Sequence, residues 1–174
     1  MENKTKSIVI TAMFAALVFV LTVVLPVPIP ATGGYVNLGD VVILLAAWHL
    51  GILRGSVAAA IGSGLADLTL APIYAPGTIV IKSLMVVFAY LVWKNIMKHT
   101  EKKVIAVIAS GVVAETIMVL GYLGYEAIVL GLGVAALAGV SGNIIQAVVC
   151  LGFAVAFVQV LQGVKVFENA LKAI

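Results

Sequence analysis

Charge is what this chain most lacks. Asp, Glu, Lys and Arg make up 10% of its 174 residues, against about 25% in soluble domains. With 64% hydrophobic residues and a mean hydropathy of +1.26, that scarcity excludes a water-soluble globular domain and points to an integral membrane protein. The single cysteine, Cys150, excludes an internal disulfide and a cysteine metal cluster. Catalytic signatures are missing too. Gly77-Thr-Ile-Val-Ile-Lys82-Ser83 lacks the second glycine of a phosphate-binding GxxxxGK[ST] loop. There is no HExxH or GxSxG, and the two histidines, His49 and His99, fall away from the other candidate polar groups, so no metal site is expected. The first apolar run is not followed by a small-residue cleavage site, so it reads as a retained helix rather than a signal peptide.

What is present is a succession of apolar runs. They predict an all-α fold: a single domain over residues 1–174, built as an integral membrane bundle of six transmembrane helices. The expected spans are Ser7–Leu25, Leu38–Leu53, Gly55–Leu70, Thr78–Met97, Val104–Tyr125 and Val140–Leu161. The second is short for a hydrocarbon core of about 30 Å. A terminal amphipathic helix, Gly163–Ile174, carries a possible Glu168–Lys172 pair. Every lysine and arginine except Lys82 flanks a helix end on one side of this arrangement. That asymmetry places both termini in the cytoplasm of a multi-pass protein in a bacterial cell membrane. It also makes the net charge of +3 a topology signal rather than a sign of nucleic-acid binding.

The opposite face gathers the irregular backbone. Pro26, Pro28 and Pro30 forbid a continuous helix, and Gly33-Gly-Tyr-Val-Asn-Leu-Gly-Asp40 then leads into the second span. Asn37 or Asp40 can cap that helix. A second Pro/Gly loop covers residues 71–77, and a glycine-rich connection covers 126–139. Beneath these loops, several polar groups interrupt the apolar spans: Asp67, Lys82, Glu115, Tyr122, Asn143 and Gln146. Ionisable groups in a membrane are costly unless paired or watered, and they mark ligand sites. Each also has a structural reading. Lys82 can snorkel outward or pair with Asp67, and the buried amides can simply tie helices together. With Asn37 and Tyr74 in the loops above, and Tyr35 and Tyr125 as lids or stacking faces, these groups outline an outward-facing pocket for a small polar molecule.

The whole chain resembles the substrate-binding S component of a bacterial energy-coupling factor (ECF) transporter. The features that carry the resemblance are the six predicted helices, the Gly-Tyr-Val-Asn-Leu-Gly-Asp segment before the second helix, and Ala12-Met-Phe-Ala-Ala16 on the first. The resemblance implies that Ala12 and Ala16 dock on a transmembrane coupling subunit. Two partner ATPase subunits would then use ATP, with no cofactor in this chain. It also implies a small-molecule vitamin bound near the outer face, between the external loops and helices four to six. The Asn-Leu-Gly-Asp form resembles members assigned to pyridoxine-like or hydroxymethylpyrimidine substrates. A pyridoxine-type ring would offer a phenolate to Lys82 and a pyridinium to Glu115, whereas a pantothenate or biotin carboxylate would leave Glu115 unpaired. Two other readings compete with a transporter subunit: a membrane-embedded enzyme, and an accessory membrane subunit without ligand.

Overall fold

The computed structural model describes residues 2–100 and 102–161; the terminal amphipathic helix expected over Gly163–Ile174 lies outside the described residues. Helix α1 (Glu2–Val24) leads into a short hairpin of β1 (Val27–Ile29) and β2 (Gly34–Val36). Helix α2 (Gly39–Leu70) follows, then a single 3-10 turn, α3 (Ala75–Met97), α4 (Lys103–Gly124) and α5 (Leu137–Leu161). Among the described residues, five helices are long and apolar enough to cross a membrane. At about 1.5 Å per residue, α3 alone extends about 35 Å, more than a hydrocarbon core of about 30 Å.

The expected count of six helices is therefore corrected to five, because spans two and three form one element. Their junction is Gly51, whose φ of 76° and ψ of −171° interrupt the helical geometry of α2. In an uninterrupted helix residues 46 and 55 would be about 13 Å apart, yet a Cβ added at Gly55 would lie 3.1 Å from the Ala46 carbonyl oxygen. The chain thus turns back on itself at Gly51, and α2 has two limbs. That φ/ψ combination is essentially open only to glycine. No helix-breaking proline announces the reversal.

A second correction is local. The proline-rich segment contains an antiparallel strand pair, with Val27 opposite Val36, Pro28 opposite Tyr35, and Ile29 opposite Gly34. Thr32 and Gly33 both donate their N–H groups to Ile29 O, and Gly33 takes the left-handed conformation (φ 72°) that closes the turn. The prolines are compatible with a strand here because a two-stranded ribbon has only edges.

The two limbs of α2 occupy the centre and pack against α1, α3, α4 and α5. Ile43, Leu44, Ala47, Met85, Val86, Ala114, Met118 and Cys150 form the buried core. Trp48 Nε1 donates to Ser110 Oγ at 2.9 Å, tying α2 to α4 inside it. Outside, large apolar side chains such as Leu53, Leu68, Val80, Val148 and Phe153 are exposed, while Asp40, Lys82 and Glu115 are buried. This inverts a water-soluble protein and suits a hydrocarbon solvent. The Gly51 reversal lies at the end of the bundle that carries Lys4, Lys6, Arg54 and the α3–α4 connection with its lysines. The hairpin lies at the opposite end.

Candidate binding site

The hairpin brings Tyr35 and Asn37 over the ends of α2, α3, α4 and α5. A recess opens beneath it, lined by Ile29, Gly34, Tyr35, Asn37, Asp67, Tyr74, Tyr122, Glu126, Asn143 and Gln146. Its free space, about 20 Å³, accommodates about one water molecule. The close approach of β2 depends on Gly34, since a Cβ there would lie 3.1 Å from the Tyr74 hydroxyl.

Two layers of polar contacts support the recess. The deeper one centres on Asp40, in the first turn of α2. Lys82 Nζ donates to Asp40 Oδ1 at 2.5 Å, and Gln146 Nε2 donates to Asp40 Oδ2 at 2.5 Å. Gln146 Oε1 in turn accepts the Asn37 N–H at 2.6 Å, and the Cys150 thiol lies 3.4 Å from Asn37 O. Asn37 Oδ1 accepts the Gly39 N–H at 2.8 Å. Of the two residues expected to cap α2, Asn37 therefore satisfies a backbone donor, whereas the Asp40 carboxylate is engaged by Lys82 and Gln146. Lys82 also sits 5.2 Å from the Tyr122 ring centroid, within cation–π range.

The upper layer consists of phenols. The Tyr35 hydroxyl donates to Asp67 Oδ1. Burial, and then the Asp67 carboxylate, push the Tyr35 phenol well above its ordinary range, which keeps it a donor. The Tyr74 hydroxyl lies 2.8 Å from Thr32 O and 3.1 Å from Glu126 Oε1. Tyr122 shares a hydrogen bond with Thr78 at 2.8 Å. Tyr74 is flanked by Tyr122 and Tyr125, with ring centroids 6.3 and 6.1 Å away. The recess thus offers aromatic faces, amide edges and carboxylate oxygens to a ligand.

Of the residues singled out in the sequence, Asn37, Asp67, Tyr74, Tyr122, Asn143 and Gln146 meet at this recess. Lys82 and Glu115 do not line it. Lys82 is held by Asp40 rather than by Asp67. Glu115 is buried, neither of its carboxylate oxygens has a hydrogen-bond partner, and it borders an apolar groove between α4 and α5. Glu126 escaped the sequence reading because it falls in a connection that looked like a loop. Here that connection begins with a π-helical turn, Tyr125–Val129, which turns Glu126 inward until it is 2% exposed. Asp40 was legible only as a capping residue, because its partner Lys82 is far along the chain.

A family model described as "ECF-type riboflavin transporter, S component" matches residues 2–163. The chain belongs to this family. Members are membrane-embedded, vitamin-binding subunits that work with a coupling module, so this S component is a binding protein and not an enzyme. The family fits the site, a recess lined by aromatic, amide and carboxylate side chains. A protein from Pyrococcus woesei described as "Uncharacterized protein in gap 3'region" is 35% identical over 131 residues, covering 75% of this S component and 84% of the relative.

Proposed function

We propose that this S component captures a flat, uncharged heteroaromatic vitamin of the flavin type, in the recess beneath the β-hairpin, for an ATP-driven importer. The observation that carries the reading is the recess lining: three tyrosines and three amide side chains, with no lysine or arginine among them. Phenol rings suit a flat ring system, and amides read an edge of alternating donors and acceptors. The family's printed substrate, riboflavin, has both features. A pyridoxine-type phenolate is disfavoured, because the one cation near the recess is already held by Asp40.

Orientation and partners follow from the same arrangement. The basic end of the bundle is assigned to the cytoplasm, which puts the recess outside, both termini inside and the two limbs of α2 on separate passes of a bacterial cell membrane. Ala12 and Ala16 are exposed on α1 and border an apolar groove with the second limb of α2, alongside Thr11, Phe19, Val57 and Ile61. Small side chains let another membrane helix approach closely. This groove is the proposed seat of the coupling subunit, whose two ATPase partners would use ATP; this chain itself would need no cofactor.

The test is titration of riboflavin and pyridoxine onto the detergent-purified chain, with mass spectrometry of any small molecule that copurifies. Quenching of flavin fluorescence at a one-to-one ratio is expected. Binding of pyridoxine in preference to riboflavin would refute the flavin reading.

A further inference from the structure

Midway along α4, away from the recess, Glu115 is 3% exposed, and neither of its carboxyl oxygens has a hydrogen-bond partner among the described residues. The charged and titratable groups that act on it are Asp40 on α2, Lys82 on α3 and the Cys150 thiol on α5. The one cation of that set is already engaged, since Lys82 Nζ donates to Asp40 Oδ1. Gln146 Nε2 donates to the other Asp40 oxygen. An ionised carboxylate with no hydrogen bond in a dry interior is so costly that such a group carries a proton instead. With Glu115 as the neutral acid, the cluster is electrically balanced by the Asp40–Lys82 pair alone.

Glu115 also lines a groove between α4 and α5, together with Val119, Leu120, Ile144, Val148 and Leu151. No Lys, Arg or His lines it. Leu120 and Val148 are 60% and 68% exposed, so the groove opens on the apolar outer face of the bundle. Its free space is about 290 Å³, close to the lower end of ligand pockets at about 300–1,000 Å³. Thr116, its other polar residue, already donates its hydroxyl to Val112 O at 2.8 Å. The Glu115 carboxyl is therefore the group with hydrogen-bonding capacity to spare. Acyl chains can fill the groove but offer nothing to that group.

We propose that the α4–α5 groove is a second binding site, entered from the lipid, where the neutral Glu115 carboxyl donates to a small lipophilic molecule carrying an acceptor nitrogen. A protonated carboxyl has one O–H donor to give, and the groove supplies apolar walls for the rest of the molecule. Because Glu115 is itself a lining residue, contact needs only rotation about its own side-chain bonds. This site is independent of which vitamin occupies the recess.

A lipophilic carbodiimide, dicyclohexylcarbodiimide, is the probe, because it has the required shape and leaves a covalent record. The Glu115 O–H proton passes to one carbodiimide nitrogen, and the carboxylate oxygen bonds to the central carbon as one C=N π bond is consumed. The acyl group then moves from that oxygen to the other nitrogen, breaking the C–O bond and forming an N-acylurea. Nothing leaves, so the modified peptide gains the whole mass of the reagent. The full-length chain in detergent is treated at about pH 8, where exposed carboxyls are ionised and do not supply the proton. Peptide mass spectrometry should find the adduct on Glu115. A water-soluble, cationic carbodiimide at the same concentration should leave Glu115 unmodified. Ala147→Leu, which adds bulk to the groove wall, should slow the labelling severalfold. Glu115→Gln should abolish it and shift Tm by less than about 2 °C, since a neutral amide replaces a neutral acid. No adduct on Glu115 in the folded parent overturns the proposal, and this comparison needs no variant. Equal labelling by the water-soluble reagent overturns it too, by showing an aqueous route. So does undiminished labelling of Ala147→Leu, which places the route elsewhere. A larger fall in Tm for Glu115→Gln makes Glu115 an ionised partner of Lys82 and likewise overturns it.

Discussion

Replacing Lys82 with methionine tests whether the Asp40–Lys82 pair holds the bundle together or serves the ligand. The two side chains are 0% and 3% exposed, with Nζ and Oδ1 2.5 Å apart. Removing one member of a buried pair leaves the other charge uncompensated, typically at about 3–5 kcal/mol. Asp40 keeps the Gln146 amide as a donor and sits in the first turn of α2, where the helix dipole favours an anion. The lower end, about 3 kcal/mol, is therefore expected. For a chain of this length that corresponds to a fall in Tm of about 6–12 °C. The assay is built into the molecule: Cys150 is the only cysteine and is fully buried, so a thiol-reactive dye reports unfolding on a thermal ramp. The double variant Asp40→Asn/Lys82→Met removes both charges, leaves an amide for Gln146, and should recover about half the loss or more. Riboflavin affinity of folded Lys82→Met should change by less than about threefold, well short of a lost charge-assisted contact. A Tm within 2 °C of the parent on this scale, or a double variant as unstable as the sum of the single ones, would refute the argument. A hundredfold loss of binding on this scale with unchanged Tm would return Lys82 to the ligand.

Three further outcomes are expected. Gly51→Ala should destabilise the chain by about 1–3 kcal/mol through backbone strain alone, since the nearest atom to an added Cβ is on the Tyr90 ring at 3.6 Å; an unchanged thermal midpoint would contradict the reversal. Tyr35 has a raised folded-state pKa, so its contribution is complete below the unfolded value of about 10 and is lost as the pH rises above it. Unfolding midpoints should accordingly be flat from about pH 7 to 9 and fall above about pH 10, with Tyr35→Phe falling less steeply. Replacing Ala12 and Ala16 together by leucine should leave ligand titration on the isolated chain unchanged while preventing assembly with the coupling subunit and ATP-driven uptake in vesicles. Normal uptake by that variant would dismiss the docking groove.

Much of the site was legible because polar groups are conspicuous in apolar helices. Asn143, Gln146, Asp67 and Tyr122 could be picked out by their residue type and their position in a span, and the recess gathers them. Periodicity placed the helices but left their joins open. A turn between the second and third spans was expected at residue 54; its seat at Gly51 is one backbone conformation at one glycine among many, and no local signal marks that glycine. The hairpin was hidden for a related reason: prolines and glycines exclude helix without saying what replaces it.

The sequence by itself determined the solvent. Scarce charge and long apolar runs require a hydrocarbon environment, because that is the only solvent in which so exposed an apolar surface is stable. The choice among a transporter subunit, a membrane enzyme and an accessory subunit rests on the family match. Only the tertiary structure decided who faces whom. Asp40 meets Lys82 and Gln146, although the three lie on different helices. Glu126 turns inward on a π-helical turn, while Glu115, which seemed the better site carboxylate, borders a groove on the outside of the bundle. Such pairings depend on how helices rotate and stack, and packing sets that rotation from contacts distant in the chain.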